Sequence, residues 1–328
     1  MQTPFFTGPF APMCEKFVAQ QQAVGKKYET AARRLRQFDD FAKDFNVVNY
    51  QITDDLFKAY CQKRPSENDN SRRDRIYIVW TFAEYLSSQG FICSCIPPDK
   101  PKSVAPHTPY IFTTDELKSL FDYLDGLEEN NLSTSNVMFP ILFRILYGCG
   151  LRKSEVLNLK KEDVDVANGI IHVNRGKNDR ERIVVMSVSL QKRCADFLEK
   201  YHSNTPEGTP FLYTKSMGQL SESTVNRGFR AALWDIGIPY YGKDKGPRVH
   251  DLRHTFICHN IQKWAESGVP IHSKLPVLSK YVGHSHVNAT HWYIRLTAET
   301  YPHIRQICEE ALSGIYSDIL IQWEDQEK

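Results

Sequence analysis

The spacing of apolar and polar positions divides the chain into a helical stretch, a proline-rich break, and a longer stretch that mixes helices with short strands. In the first, about residues 14–95, Tyr28, Ala31, Leu35, Phe38, Ala42 and Phe45 recur every three or four positions and make one helix face, with Lys26, Lys27, Arg33, Arg34 and Arg36 opposite. A second helix is expected over 54–62. A third, over 76–86, is apolar nearly all round and so central and buried, and it follows the basic cluster Arg72, Arg73 and Arg75. Residues 96–109 carry five prolines and no apolar period, which predicts a linker. Thr113 followed three residues on by Glu116 fits a capping box and predicts a helix start. Further helices are expected over 137–147, closed by Gly148-Cys149-Gly150, and over 190–201, 221–234, 250–264 and 275–282. Two β-prone runs, 170–173 and 183–186, flank the turn-rich basic segment from Asn174 to Arg180, which predicts a β-hairpin or β-meander with charge at its tip.

The expected fold is therefore mostly α with a small β-sheet. A helical domain covers 1–95, a linker 96–110, and a mixed α+β domain 111–298. The tail, 299–328, has Ile304, Ile307, Ala311, Leu312, Ile315, Ile319 and Leu320 at helical spacings.

Composition narrows the class. Of 328 residues, 41% are apolar and 24% charged, ordinary globular values that exclude global disorder and coiled coil. The eight cysteines are scattered and form no C-x-x-C pair, so reduced thiols are expected rather than a disulfide framework or a structural zinc site. The first ten residues lack a basic start followed by an apolar run, and the longest apolar stretch is broken by Pro140 and Arg144. The expectation is a cytoplasmic protein with no membrane span. The net charge of +2 hides a partition: residues 299–328 hold two basic and seven acidic residues, which leaves +7 on the rest. A moderately basic body is compatible with nucleic acid, and the acidic tail suits a protein contact.

Seven of the eleven histidines fall between positions 250 and 291. His250, His254 and Cys258 could share a helix face, but no H-E-x-x-H or other acidic ligand set accompanies them, so no metal site is assigned. His250 and Arg253 form H-x-x-R, which puts both on one helix face near a Gly- and Pro-marked start, where free N–H groups favour an anion. Arg152 stands at another Gly-marked helix start, Lys177 at the hairpin tip, and Tyr293 nine residues after His284. Two arginines suit the non-bridging oxygens of a phosphodiester, lysine and histidine can move protons, and a tyrosine can form a covalent phosphoester. No cofactor is required by this inventory. Asn226, Arg227 and Arg230 share one side of a helix and could enter a DNA groove.

The stretches GCGLRKSEVLNL, NRGKNDRERIVVM, HDLRHTF and LSKYVGHSHVNATHWYI, in this order, resemble the tyrosine recombinase (phage integrase) family. The long gap between Arg253 and Gly283 resembles the transposon-encoded branch. The resemblance covers nearly the whole chain and implies a helical core-binding domain and a catalytic domain that clamp double-stranded DNA. It implies site-specific cleavage and rejoining without a metal, with Arg152 and Arg253 binding the phosphate and Lys177 as general acid for the 5′-hydroxyl. His250 would move a proton, His284 would hydrogen-bond the phosphate, Tyr293 would be the nucleophile, and Glu155 would orient the first arginine. Lys26, Lys27, Arg33, Arg34, Arg72, Arg73, Arg227 and Arg230 become candidate DNA contacts. A homo-oligomer on DNA, a tetrameric synapse joined by the tail, is expected, with element-encoded or host accessory proteins as further partners. Two alternatives stay open: a type IB topoisomerase-like nicking-closing enzyme, and a catalytically silent DNA-binding accessory protein.

Overall fold

A computed structural model describes residues 6–25, 28–95, 108–127, 135–174, 181–214, 216, 218–240, 242, 246–284 and 288–311. The chain forms two compact units, residues 1–106 and 107–328.

In the first unit, α1 (Ala11–Ala23) buries Met13, Cys14, Phe17 and Val18. Helix α2 (Glu29–Phe41) buries Ala32, Leu35, Phe38 and Asp39, so Tyr28 and Phe45 flank the helix and Ala32, rather than Ala31, is its first buried residue. The Asp39 carboxylate is buried because it accepts the backbone N–H groups of Gly8 and Phe10 at 2.7 and 2.8 Å, which pins the lead-in to α1. Helix α3 (Asp54–Cys61) is capped by Thr53. Helix α4 (Asp69–Ser88) starts seven residues before the apolar period because Asn68 caps it, accepting the N–H of Ser71 at 2.8 Å. The basic cluster consequently lies inside α4. The helix is also not buried all round: Ile76, Val79, Phe82, Ala83 and Leu86 face inward, while Tyr77 is 50% exposed.

The second unit opens with α5 (Thr114–Asp125), whose capping box forms both reciprocal bonds between Thr113 and Glu116. Helices α6 (Ser135–Gly148), α8 (Val188–His202) and α9 (Glu222–Asp235) pack around Phe143, Leu146, Phe211 and Phe229. The short helix α7 (Lys153–Leu157) precedes an antiparallel sheet of β1 (Val164–Asp165), β2 (Ile170–Val173) and β3 (Arg182–Val185), in that order. Strand β1 has two residues, too few to show alternation in sequence. Pairing of Val173 with Arg182 starts β3 one residue before the apolar run.

A second core joins α10 (Asp251–Glu266), α11 (Ile271–Val282) and α12 (Asn288–Thr300) through Ile257, Ile261, Leu278 and Ile294. Helix α11 begins four residues earlier than expected and accommodates Pro276. From the tail, Ile304 and Cys308 are buried in this same core, whereas Ile307 is 43% exposed. Leu312, Ile315, Ile319 and Leu320 lie outside the described residues. The architecture is mostly helical with one small three-stranded sheet, as the periodicities predict. Among the described residues no helix is long and apolar enough to cross a membrane.

Candidate active site

The residues singled out in sequence converge where α7, α10, α11, α12 and β3 meet. Arg152 sits at the N-cap of α7, after a turn in which Gly150 takes φ +59°. A Cβ at Gly150 would lie 2.4 Å from the Phe256 ring, so the turn needs glycine twice over. Glu155 is 4% exposed and closes a capping box, its Oε2 accepting the Arg152 N–H at 2.8 Å while Oε1 accepts Arg152 Nη1 at 2.8 Å. On its other side it takes a fork from Arg182: Nη1 to Oε1 at 3.0 Å and Nη2 to Oε2 at 2.8 Å. Burial works to raise the Glu155 pKa, but the hydrogen bonds and charges of Arg182 and Arg152 outweigh it and bring it down to about 2. The carboxylate is thus a fixed anion between two guanidiniums.

The same guanidiniums tie in the end of α11. Arg152 Nη2 donates to Gly283 O at 2.6 Å, and Arg182 Nε to Tyr281 O at 2.8 Å. Gly283 ends α11 at φ +71°, and a Cβ there would come within 2.9 Å of the Arg182 guanidinium. Next to it stands His284, which the helix end carries into the cluster.

Helix α10 contributes from its N-terminus. His250 is the N-cap, and the buried Asp251 accepts the Arg248 N–H at 2.8 Å. Arg253 is 2% exposed. Its Nη1 donates to Gly150 O at 2.6 Å, yet its Nη2 is buried without a hydrogen-bond partner. Burial and the nearby Arg152 charge lower its pKa to about 10, so it stays cationic at neutral pH. A buried cation with an unused donor costs folding energy and marks a place made for an anion.

Tyr293, on α12, is 4% exposed. Its hydroxyl lies 2.8 Å from His254 Nδ1, and its ring stacks on His284 at 5.8 Å between centroids. Burial raises the phenol pKa and the Arg253 charge only partly offsets it, so the hydroxyl is neutral. The His250 and His284 pKa values are both pushed down to about 4, by burial first and then by Arg253 and Arg152. His250 is exposed at the surface, so for it the neighbouring cations, Lys153 included, carry the direction more firmly than burial. His202 and His259 are lowered as well, again by burial; His259 packs with its Nδ1 2.9 Å from the Tyr147 hydroxyl.

These shifts set a pH dependence. Between about pH 4 and 6.5 the unfolded chain binds protons at these histidines that the folded chain refuses, so stability rises with pH through this window and is lost on acidification. Urea unfolding at pH 5 should therefore show a lower midpoint than at pH 7; a midpoint that does not fall would contradict these assignments.

Arg152, Glu155, His250, Arg253, His284 and Tyr293 thus come together, and Lys177 lies outside the described residues. Two further residues join them to which the sequence assigns no catalytic role. Arg182 is in the phase of the inward-facing Val184, while Ile183 and Val185 are 58% and 60% exposed, and that phase was its only signal. His254 stands one helical turn after His250. Among the candidate DNA contacts, Arg33 is exposed, while Arg34 pairs with Asp74 at 3.2 Å and Arg72 Nε donates to Cys61 O at 2.9 Å. Arg73 pairs with Asp74 at 3.2 Å, and Lys26 and Lys27 lie outside the described residues. Arg75 is 3% exposed and paired with Glu67 at 2.8 Å, a structural role. Arg230 stacks over the Tyr240 ring and, with Asn226, Lys153 and His250, lines a cavity of about 330 Å³; Arg227 is exposed. Among the described residues no His, Cys, Asp and Glu group is placed to hold a metal.

Known proteins resemble this chain over most of its length. Tyrosine recombinase XerA of Pyrococcus horikoshii is 26% identical over 304 residues, covering 90% of this chain and 92% of that protein. The fold matches the XerH site-specific recombinase bound to palindromic difH substrate, with a TM-score of 0.61, 16% identity and coverage of 95% of this chain and 91% of that one. It also matches the Tn1549 transposon integrase in complex with transposon right end DNA, with a TM-score of 0.61, 15% identity and coverage of 88% and 99%. The model of the phage integrase family matches residues 111–300, more than half of the chain and every residue of the cluster described above, and the chain belongs to that family.

Proposed function

We propose that this protein is a site-specific DNA recombinase that cleaves and rejoins strands of double-stranded DNA through a 3′-phosphotyrosyl intermediate. The observation that carries the reading is the buried Arg253 guanidinium, with an unused Nη2, in one cluster with Arg152 and the neutral Tyr293 hydroxyl. Arg253 and Arg152 offer charge and directed donors to the non-bridging oxygens of a phosphodiester, and bind its more highly charged transition state more tightly than its ground state. Tyr293 Oη attacks phosphorus, the bond to the 5′-oxygen breaks, and Lys177 protonates that oxygen. An entering phosphodiester raises the pKa values of His250 and His284 and so recruits both as hydrogen-bond donors. The phosphotyrosine keeps the energy of the broken bond for rejoining.

Similarity to the Tn1549 integrase supports a mobile-element role, and the DNA complexes among the structural matches support duplex DNA as partner. A tetrameric synapse, with the acidic tail as protein contact, fits this chemistry. The test is a nicked suicide duplex incubated with the protein in EDTA. A covalent adduct at a 3′ end is expected. Adduct formation with relaxation of supercoiled DNA but no recombinant product would favour a nicking-closing enzyme, and specific binding with no adduct would favour a silent accessory protein.

A further inference from the structure

Attack by Tyr293 needs a proton acceptor in contact with its hydroxyl, and His250, the residue that the family resemblance makes a proton mover, meets the His254 ring edge-on at 4.8 Å while the hydrogen bond to Tyr293 Oη is made by His254. Tyr293 rests as a neutral phenol, and its proton must leave as Oη attacks. Arg152 and Arg253 are cations and accept nothing. His284 packs its ring against that of Tyr293, with planes 14° and centroids 5.8 Å apart. His254 is placed differently. Its Nδ1 lies 2.8 Å from Tyr293 Oη, with ring centroids 5.5 Å apart. The imidazole is wedged between His250, whose ring meets it edge-on at 4.8 Å, and Trp292, edge-on at 6.0 Å. Helix α10 supplies His254 one turn after the His250 N-cap, and α12 supplies Tyr293 and Trp292, so the contact is fixed by the packing of two helices rather than by a loop.

We propose that His254 is a catalytic residue whose Nδ1 takes the proton of Tyr293 Oη as that oxygen attacks phosphorus. The proposal rests on Tyr293 being the nucleophile. In the step, the Oη–P bond forms and the P–O5′ bond breaks with its electron pair on the 5′-oxygen. The tyrosine proton passes to Nδ1, giving an imidazolium protonated on both nitrogens, and the 5′-oxygen takes its proton from the general acid. On rejoining, the imidazolium returns the proton to the departing phenolate. The charge formed on His254 is balanced by the phosphodiester that the two arginines hold.

The test is single-turnover cleavage by the full chain on the nicked suicide duplex and on the same duplex with sulfur as the bridging 5′ atom, a leaving group that needs no protonation. His254→Gln keeps an acceptor for the tyrosine hydroxyl but cannot take its proton. It should slow adduct formation about 10²–10⁴-fold on both substrates, with duplex binding and thermal melting unchanged. In His254→Ala, added imidazole should restore part of the rate. A wild-type rate in His254→Gln, or a defect cured by the sulfur substrate, would overturn the proposal. Tyr293→Phe, run in parallel, should give no adduct; an adduct there would refute the nucleophile reading itself and thereby be distinguished from a failure of His254 alone.

Discussion

Arg253→Lys should lower the rate of covalent adduct formation about 10²–10³-fold while duplex binding falls far less. A lysine keeps the charge but not the fork. In the native site Nη1 is committed to Gly150 O, and Nη2, 2% exposed with its side chain, is the donor left for an anion. One ammonium cannot hold the α7 turn and a phosphate oxygen in the same two directions. The loss should therefore appear in the chemical step, where charge on phosphorus grows, and not in encounter with DNA. Saturating single-turnover rates with filter-binding affinities on the same duplex separate the two, and a loss of affinity with an unchanged rate would assign Arg253 to ground-state binding only.

Glu155→Ala is expected to be the most destabilising change at the site, about 3–5 kcal/mol in urea unfolding at pH 7. The carboxylate is 4% exposed and accepts from Arg152 through both backbone and guanidinium and from Arg182 through a fork. Its removal leaves two guanidiniums facing each other without an anion, loosens the N-cap of α7 and weakens the hold on Tyr281 and Gly283. Arg152 would then be misplaced before any substrate arrives. A loss below about 1 kcal/mol would mean that solvent replaces the carboxylate freely.

What could be read from sequence was what is local. The capping box at Thr113 and Glu116, the H-x-x-R pair at His250 and Arg253, and the glycine-marked turn before Arg152 each depend on residues within a few positions, and each forms in the structure. Helix α12 was missed because Trp292, Tyr293, Ile294 and Leu296 crowd several faces and blur the period. The start of α11 was missed because Pro276 looks like a breaker although the surrounding core carries the helix through it. The partners that give the site its electrostatics were out of reach for another reason. Arg182 meets Glu155 across 27 positions and Tyr281 across 99, and His254 meets Tyr293 across 39. Nothing in a local window distinguishes such an arginine from its neighbours in a basic hairpin. Family resemblance named the residues; only the packing of α7, α10, α11, α12 and β3 says what holds them and in which charge state.

The proposed mechanism joins a single neutral, buried tyrosine covalently to DNA inside an arginine cluster. The most direct measurement is mass spectrometry of the proteolysed adduct trapped on the nicked suicide duplex. A nucleotide attached to the peptide containing Tyr293, and no adduct from Tyr293→Phe, is the result predicted here. Fragment ions that place the nucleotide on Tyr281 or Tyr301 instead of Tyr293, or an adduct that persists in Tyr293→Phe, would contradict it.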